Sequence, residues 1–399
     1  MPKIMRVLGI KNRIGVFVIL GLLFVISPIT GAILSFLALF YFSNNKGLTR
    51  ICFFYIALFL AIINTLKVPE NDLKMYLWQY NLVETNTFFD YIFLFKKEQF
   101  FYFFNYVTYK LTSGSFIWYV AIFTVISYYL IFTSIWKVHK SLKGSVYSFL
   151  LCIGISVLFP MLFSLSAHLM RQFLASSLIM YVLVSKIFYK ENKYLYYILA
   201  VLTHSTSLIF LMIFLPINKK VKLLRIFVIS ILFLAIVFSL FYYAETLHSI
   251  FDSVPVVSYV LERLSNPDGI FKTDNLGLVN YALQLFVVVL FYLQSISDNF
   301  KNIVYERYKL FFISLLLFLF IISNYYNTEI ALRFSFYIYF LFPLSFYFYG
   351  ELFSSRFSKA INQISFVPII LVFLLWFIVK LKNGSWTYNN LDTLLFSFL

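Results

Sequence analysis

Charge is what this sequence has least of. Only 12% of its 399 residues are Asp, Glu, Lys or Arg, against 62% hydrophobic, so a water-soluble fold could not cover the apolar surface. The alternation of polar and apolar residues that marks a membrane β-barrel is missing, as are heptads; the apolar residues come in unbroken runs. Two cysteines, Cys52 and Cys152, both inside predicted helices, leave no disulfide framework and no Cys-based metal site. No internal repeat, low-complexity segment or soluble domain stands out. The basic N-terminus (Lys3, Arg6, Lys11, Arg13) precedes an apolar run that continues to Phe42 without a small-residue cleavage site, which reads as a retained anchor.

What remains is a set of apolar segments of the size a helix needs to cross a hydrocarbon layer about 30 Å thick, roughly 17–25 residues each. Residues 116–136 are typical, with Trp118 and Trp136 about 27 Å apart as interfacial anchors at a rise of about 1.5 Å per residue. The expected fold is therefore an all-α polytopic integral membrane protein, one transmembrane domain over residues 1–399 with about 11–13 hydrophobic helical segments.

The net charge of +16 does not point to nucleic acid, because the basic residues lie in short clusters between apolar runs. Residues 1–13, 43–50, 137–145, 186–193, 218–225, 298–309 and 351–363 hold 21 of the 32 Lys and Arg but only four acids, Glu191, Asp298, Glu306 and Glu351. By the positive-inside rule these loops and the N-terminus are cytoplasmic, and the nearly neutral opposite side is periplasmic. Residues 14–42 and 194–217 are then basic at both ends, which fits a pair of short helices better than one long tilted helix in each case. The turns fall at Ser27-Pro28 and His204-Ser205, and non-helical backbone at such depth has to face protein or water. Full crossings are expected near 51–66, 116–136, 146–164, 170–185, 226–244, 276–297, 309–324, 334–350 and 364–380. Two external loops are long: residues 67–115, with an interfacial amphipathic stretch at 100–111, and residues 245–275.

Ionisable residues near a membrane are candidates for function by default. Ser166-Ala167-His168-Leu169-Met170-Arg171-Gln172 opens a helix, with His168, Arg171 and Gln172 expected on one face; a cation there suits an anionic ligand, or simply snorkels to the interface. His204 sits among Thr203, Ser205, Thr206 and Ser207, which would cap the hairpin turn with or without a functional histidine. Arg333 follows Glu329 by four residues, the spacing of a local ion pair. The first outer loop carries Glu70, Asp72, Tyr76, Trp78, Tyr80, Glu84, Asp90 and Glu98; a carboxylate held there can take a proton from a sugar hydroxyl, and the aromatic rings either stack on sugars or form an ordinary interfacial belt. Glu70 and Asp72 are too common a spacing to argue for a metal, and no cofactor is called for.

The order of these features resembles the EpsG and Wzy-type bacterial polysaccharide (O-antigen) polymerases, similar in architecture to the lipid-dependent, GT-C-like glycosyltransferases. The likeness covers most of the chain and rests on Asp72 with Tyr76, on Glu98-Gln99-Phe100-Phe101 before Phe104-Asn105-Tyr106, on Arg171-Gln172-Phe173-Leu174-Ala175, on His204-Ser205, and on Arg333 leading into Phe334-Ser335-Phe336-Tyr337. Where the family usually has Pro after the loop Glu, this chain has Gln99. The resemblance implies joining of undecaprenyl-pyrophosphate-linked oligosaccharide repeat units at the periplasmic face, with a separate chain-length regulator as partner. It implies Arg171 and Arg333 on the pyrophosphate, assisted by His168 and His204. Asp72 is the first choice of general base and Glu98 the second, with Tyr76, Trp78 and Gln172 near the sugars and Phe-rich helix faces cradling the prenyl tail. A flippase would spread its cations along a path through the bilayer, and an O-antigen ligase would carry its large outer loop late in the chain.

Overall fold

The computed structural model describes residues 13–95, 98–214, 243–251, 277–297, 308–324, 328–354, 359–383 and 387–389, with isolated positions between them. The protein is an all-α polytopic membrane protein. Two compact units are distinguished, Met1–Leu211 with Tyr349–Leu399, and Met212–Phe348.

The first unit opens with α1 (Arg13–Ile26) and α2 (Pro28–Phe42), joined by a single extended residue, Ser27 (φ −152°, ψ 105°). Ser27 caps α2 by accepting from the Thr30 N–H at 3.2 Å, and Pro28 occupies the first helical position, where its missing N–H has no helical role. In one continuous helix residues 24 and 31 would lie about 10.5 Å apart. Instead a Cβ built on Gly31 would stand 2.6 Å from the Phe24 Cα, so the chain turns back on itself at Ser27 as the charge pattern leads one to expect. Gly31→Ala should therefore destabilise the protein by about 1–3 kcal/mol. The check is the thermal midpoint in detergent, which should fall by several degrees; an unchanged midpoint would mean the limbs are not in contact.

Next come α3 (Lys46–Thr65), capped by Asn45, and three short helices: α4 (Asn71–Asn81), α5 (Phe88–Phe93) and α6 (Gln99–Thr112). The long α7 (Phe116–Leu142) packs along α3, with the rings of Phe53 and Phe132 5.5 Å apart. Then α8 (Val146–Leu158) and α9 (Pro160–His168) meet at a 50° bend, and α10 (Met170–Tyr189) follows Leu169. Pro160 cannot donate into the preceding turn, and Phe159 ahead of it is extended (φ −76°, ψ 108°), which breaks what the sequence suggests is one crossing. Asn64 ties three helices together inside the bundle, donating to Thr124 Oγ1 at 3.1 Å and Ser166 Oγ at 2.5 Å.

The second expected hairpin is also a reversal. After α11 (Tyr194–Thr203), His204 is a lone extended residue (φ −152°, ψ 117°) before a 3-10 helix, Ser205–Phe214. The Tyr197 hydroxyl reaches the Leu208 carbonyl at 3.0 Å, although eleven residues of straight helix would part them by about 16 Å.

The second unit contains α12 (Ala244–Phe251), α13 (Leu278–Ile296), α14 (Tyr308–Ser323) and most of α15 (Thr328–Ser354); α16 (Lys359–Asn383) belongs to the first. Gln284 donates to Ser335 Oγ at 2.9 Å and Tyr339 to Asn280 Oδ1 at 2.9 Å, joining α13 to α15. Lys309, expected in a basic loop, is instead buried on α14, pairing with Glu306 and donating to the Ile213 carbonyl at 2.6 Å.

Among the described residues five helices are long and apolar enough to cross a membrane: α3, α7, α10, α13 and Ile330–Leu352 of α15. The α8–α9 pair makes a sixth if taken as one span. Most of the expected crossing at 226–244 lies outside the described residues, as do residues 252–275 of the expected outer loop, which begins as α12, and the N-terminal basic residues before Arg13.

Candidate active site

The short helices of residues 67–115 are fastened to α7 by a scaffold of aromatic rings and amides. Tyr80 stacks on Tyr119 with centroids 4.4 Å apart. Tyr119 donates to Asn105 Oδ1 at 2.8 Å, Asn105 Nδ2 lies 3.4 Å from the Tyr91 hydroxyl, and Tyr91 donates to the Gln79 carbonyl at 2.8 Å. The amphipathic helix expected at 100–111 is α6, whose buried face carries Phe101, Tyr102, Asn105 and Thr108. These anchors fix α4 and the start of α6 against α10.

There the structure brings together Glu98, Arg171 and His204. Glu98 Oε2 pairs with Arg171 Nη1, and Glu98 Oε1 lies 3.6 Å from His204 Nδ1. The Arg171 guanidinium carbon lies 5.5 Å from the centroid of the Tyr76 ring and 5.6 Å from that of Phe101, so two π-faces and a carboxylate hold the cation. Thr206 Oγ1 is 3.3 Å from His204 Nδ1. Glu98 and His204 are buried, and the Arg171 side chain keeps 17% of its surface exposed, an edge open to a ligand.

Backbone geometry adds hydrogen-bond donors here. Arg171 stands in the first turn of α10 and Glu98 is the cap residue of α6, and neither helix start has a side-chain cap. Two helix N-termini with uncapped N–H donors thus meet at a cluster that already carries a cation, alongside the C-terminal ends of α9 at His168 and α11 at His204. Such a place favours an anion, and Glu98 supplies one. Glu98 itself is left-handed (φ 57°, ψ 42°), a conformation that costs a non-glycine residue about 1–3 kcal/mol and is held only because its surroundings impose it. Position 99 is the first residue of α6; a proline there would push the preceding residue toward an extended backbone, so the left-handed Glu98 goes with Gln99 rather than with the proline usual in the family.

Asp72 is half-buried in the first turn of α4, one turn before Tyr76, and Tyr76 itself is buried. Burial pushes the Tyr76 hydroxyl above its ordinary value, Arg171 draws it down, and Asp72 and Glu98 push it up; the net rise keeps it a protonated donor. Gln172 is buried beside Arg171 on α10. Trp78 faces away, 55% exposed, with its ring 6.3 Å from that of Phe95. Arg333 is half-buried on α15 of the second unit; the side chain of Glu329, its expected ion-pair partner, lies outside the described residues.

One expectation is corrected. His168 does not share a helix face with Arg171 and Gln172, because α9 ends at His168 and Leu169 (φ −122°, ψ 52°) interrupts the helix. The acid that pairs with Arg171 lies 73 residues away in sequence, beyond any local pattern. Glu70, considered with Asp72 as an acidic pair, accepts from Thr387 Oγ1 at 2.8 Å. Among the described residues no three His, Cys, Asp or Glu side chains are grouped to hold a metal ion.

Sequence reasoning also passed over Lys67, directly after α3, whose only signal was a lone cation at the end of a crossing. It is buried, with Nζ 4.7 Å from the Phe163 ring centroid and 5.8 Å from that of Tyr388, and within electrostatic reach of His168. Residues 387–389 strap this segment through the Val68 N–H to Thr387 carbonyl bond (2.9 Å) and the Asn389 N–H to Leu66 carbonyl bond (2.7 Å). Burial holds the Lys67 amine down to about 7 from 10.5. The folded protein therefore binds fewer protons there than the unfolded chain; the resulting loss of stability is complete below about pH 7 and fades as pH rises toward 10.5. Lys67→Met should raise the thermal midpoint more at pH 6 than at pH 9, and equal shifts would contradict this reading.

No curated protein and no solved structure matches the chain. The model of the EpsG family matches residues 50–390, and the chain, with its paired Arg171 and Glu98 inside that stretch, belongs to this family of polysaccharide polymerase-like membrane proteins.

Proposed function

We propose that the protein is a glycosyltransferase of the bacterial inner membrane, an O-antigen or related polysaccharide polymerase that joins undecaprenyl-pyrophosphate-linked repeat units. The observation that carries the proposal is the cation of Arg171 held at two helix N-termini with a displaceable carboxylate and a histidine beside it. In this reading the N-terminus is cytoplasmic and the cluster faces the periplasm, as the distribution of Lys and Arg suggests.

The donor is a growing chain whose anomeric carbon is bonded to lipid pyrophosphate; the acceptor is a hydroxyl on the non-reducing end of the next lipid-linked unit. The hydroxyl oxygen bonds to the anomeric carbon as the carbon–oxygen bond to pyrophosphate breaks. The electron pair leaves on the pyrophosphate, where Arg171 meets the developing charge. When pyrophosphate takes the guanidinium, Glu98 is released from it while still beside His204, and accepts the hydroxyl proton. Geometry thus favours Glu98 over Asp72 as the base, reversing the order suggested by the sequence; Asp72 and Tyr76 line the acceptor side. Arg333 keeps the pyrophosphate-binding role its motif suggests, and a chain-length regulator remains the partner to expect.

Deleting the gene should collapse the ladder of surface glycan to a single repeat unit on the lipid A core. Arg333→Ala should do the same. Loss of all surface glycan with lipid-linked units held in the cytoplasmic leaflet would identify a flippase instead, and equal loss of polymer and single-unit forms would identify a ligase.

A further inference from the structure

An apolar groove of about 600 Å³ runs between α3, α7 and α10 of the first unit, within the size range of ligand sites, about 300–1,000 Å³. Among the described residues its lining is aromatic and aliphatic except at Arg50, and neither Glu98 nor Arg171 borders it. Arg50 stands one turn into α3, with Lys46 four residues before it and Phe54 four residues after it, all on one helix face. Arg13 and Phe17 repeat the spacing on α1, and the rings of Phe17 and Phe54 lie 6.4 Å apart in the groove. The Arg13 guanidinium packs against Gly47, leaving no room for a Cβ there, which brings it beside Lys46 in the first turn of α3. Three exposed cations thus gather at one end of the groove, on the side that the charge distribution marks as cytoplasmic. Among the described residues no carboxylate pairs with them: Glu191 is held by Lys137 at 3.4 Å and Lys193 at 3.2 Å, and Glu351 accepts from the Ser145 N–H at 2.7 Å.

We infer that this groove is a site for an anionic phospholipid of the cytoplasmic leaflet, a site separate from the reaction proposed above. The lipid phosphate sits on Arg50 with Lys46 and Arg13 around it, and one acyl chain lies along Phe54, Ile126 and Leu178. Phe17, Phe54 and Ile126 are exposed along the groove, so its side is open and the second chain stays in the bilayer. Charge complementarity decides the occupant. A zwitterionic phospholipid would bring its own ammonium to a rim that already holds three cations. A polyprenyl pyrophosphate, whose charge belongs at Arg171, would leave those cations unmet. Each basic residue near an anionic lipid surface adds to the attraction, and a lipid bound only by the folded protein stabilises it. Seated here, it would tie α1 to α3 and α7.

The test uses the purified full-length protein, stripped of lipid in detergent, and phosphatidylglycerol carrying a diazirine in one acyl chain. Photolabelling should fall on peptides containing residues 51–54 and 125–130, and unlabelled phosphatidylglycerol should compete where phosphatidylethanolamine does not. Arg50→Gln should weaken phosphatidylglycerol binding about fivefold, the contribution of one basic residue at an anionic headgroup. Lys143→Gln removes an exposed cation at the end of α7 that does not line the groove, and should leave binding unchanged. Ile126→Trp, which fills the groove, should remove the labelling. Equal competition by the two phospholipids, equal effects of the two charge substitutions, or labelling elsewhere overturns the assignment. So does displacement by C55 polyprenyl pyrophosphate more readily than by phosphatidylglycerol, which would give the groove to the donor lipid.

Discussion

Arg171→Ala abolishes long-chain polysaccharide and leaves the single repeat unit, with a loss of about 10²–10³-fold in turnover, the scale on which removing one preorganised charge-stabilising donor acts. The substitution strips the pyrophosphate of its cation at the moment the bond to the anomeric carbon breaks. It also leaves the buried Glu98 carboxylate without its counter-ion, a change that can cost about 3–5 kcal/mol in stability. Arg171→Lys separates the two effects. Lysine keeps the charge beside Glu98, so the protein should reach the membrane in normal amount. It cannot present a planar fork to phosphate or lay a flat cation against the Tyr76 and Phe101 rings, so turnover should still fall well below wild type. The measurements are glycan banding, membrane abundance by immunoblot and turnover of a lipid-linked repeat unit. Full activity of Arg171→Lys would mean that any positive charge suffices and that the stacked geometry is incidental.

Glu98→Gln should produce an equally large loss with a different signature. Glutamine keeps the shape and can still accept from Arg171, but it neither competes with pyrophosphate as an anion nor accepts a proton. The expected result is a kcat lower by about 10²–10⁴-fold, the usual contribution of a general base, together with a KM for the donor below that of wild type. A purely structural Glu98 would move kcat and abundance together and leave KM where it was or raise it. If Glu98→Gln retains kcat while Asp72→Asn loses it, the proton goes to Asp72 instead.

The helices were legible in the sequence because long apolar runs have few alternatives in a membrane, and the reversals were legible because charge parity demanded them. Ser27-Pro28 and His204-Ser205 are where the chain turns, each through one extended residue. The break at Phe159 and the interruption at Leu169 were harder to see, since a helix apolar on all sides carries no amphipathic stripe whose phase would shift at a kink. Pro160 was the available signal, and its consequence is that His168 leaves the face of Arg171. Of the site, Arg171, Glu98 and His204 were each visible as residues that a membrane protein would not place idly. Their meeting was not visible, because an ion pair across 73 residues is decided by how α6 docks on α7 and α10. The same holds for Lys67, whose burial is made by Phe163 and by a strap from the far end of the chain.

The most direct measurement is turnover by the purified protein in proteoliposomes supplied only with undecaprenyl-pyrophosphate-linked repeat units. Wild type should build a ladder of products and release one undecaprenyl pyrophosphate per linkage, and Arg171→Ala should do neither. Transfer of intact units across the bilayer without any new glycosidic bond, or a ladder that Arg171→Ala builds as fast as wild type, would contradict a polymerase centred on Arg171 and Glu98.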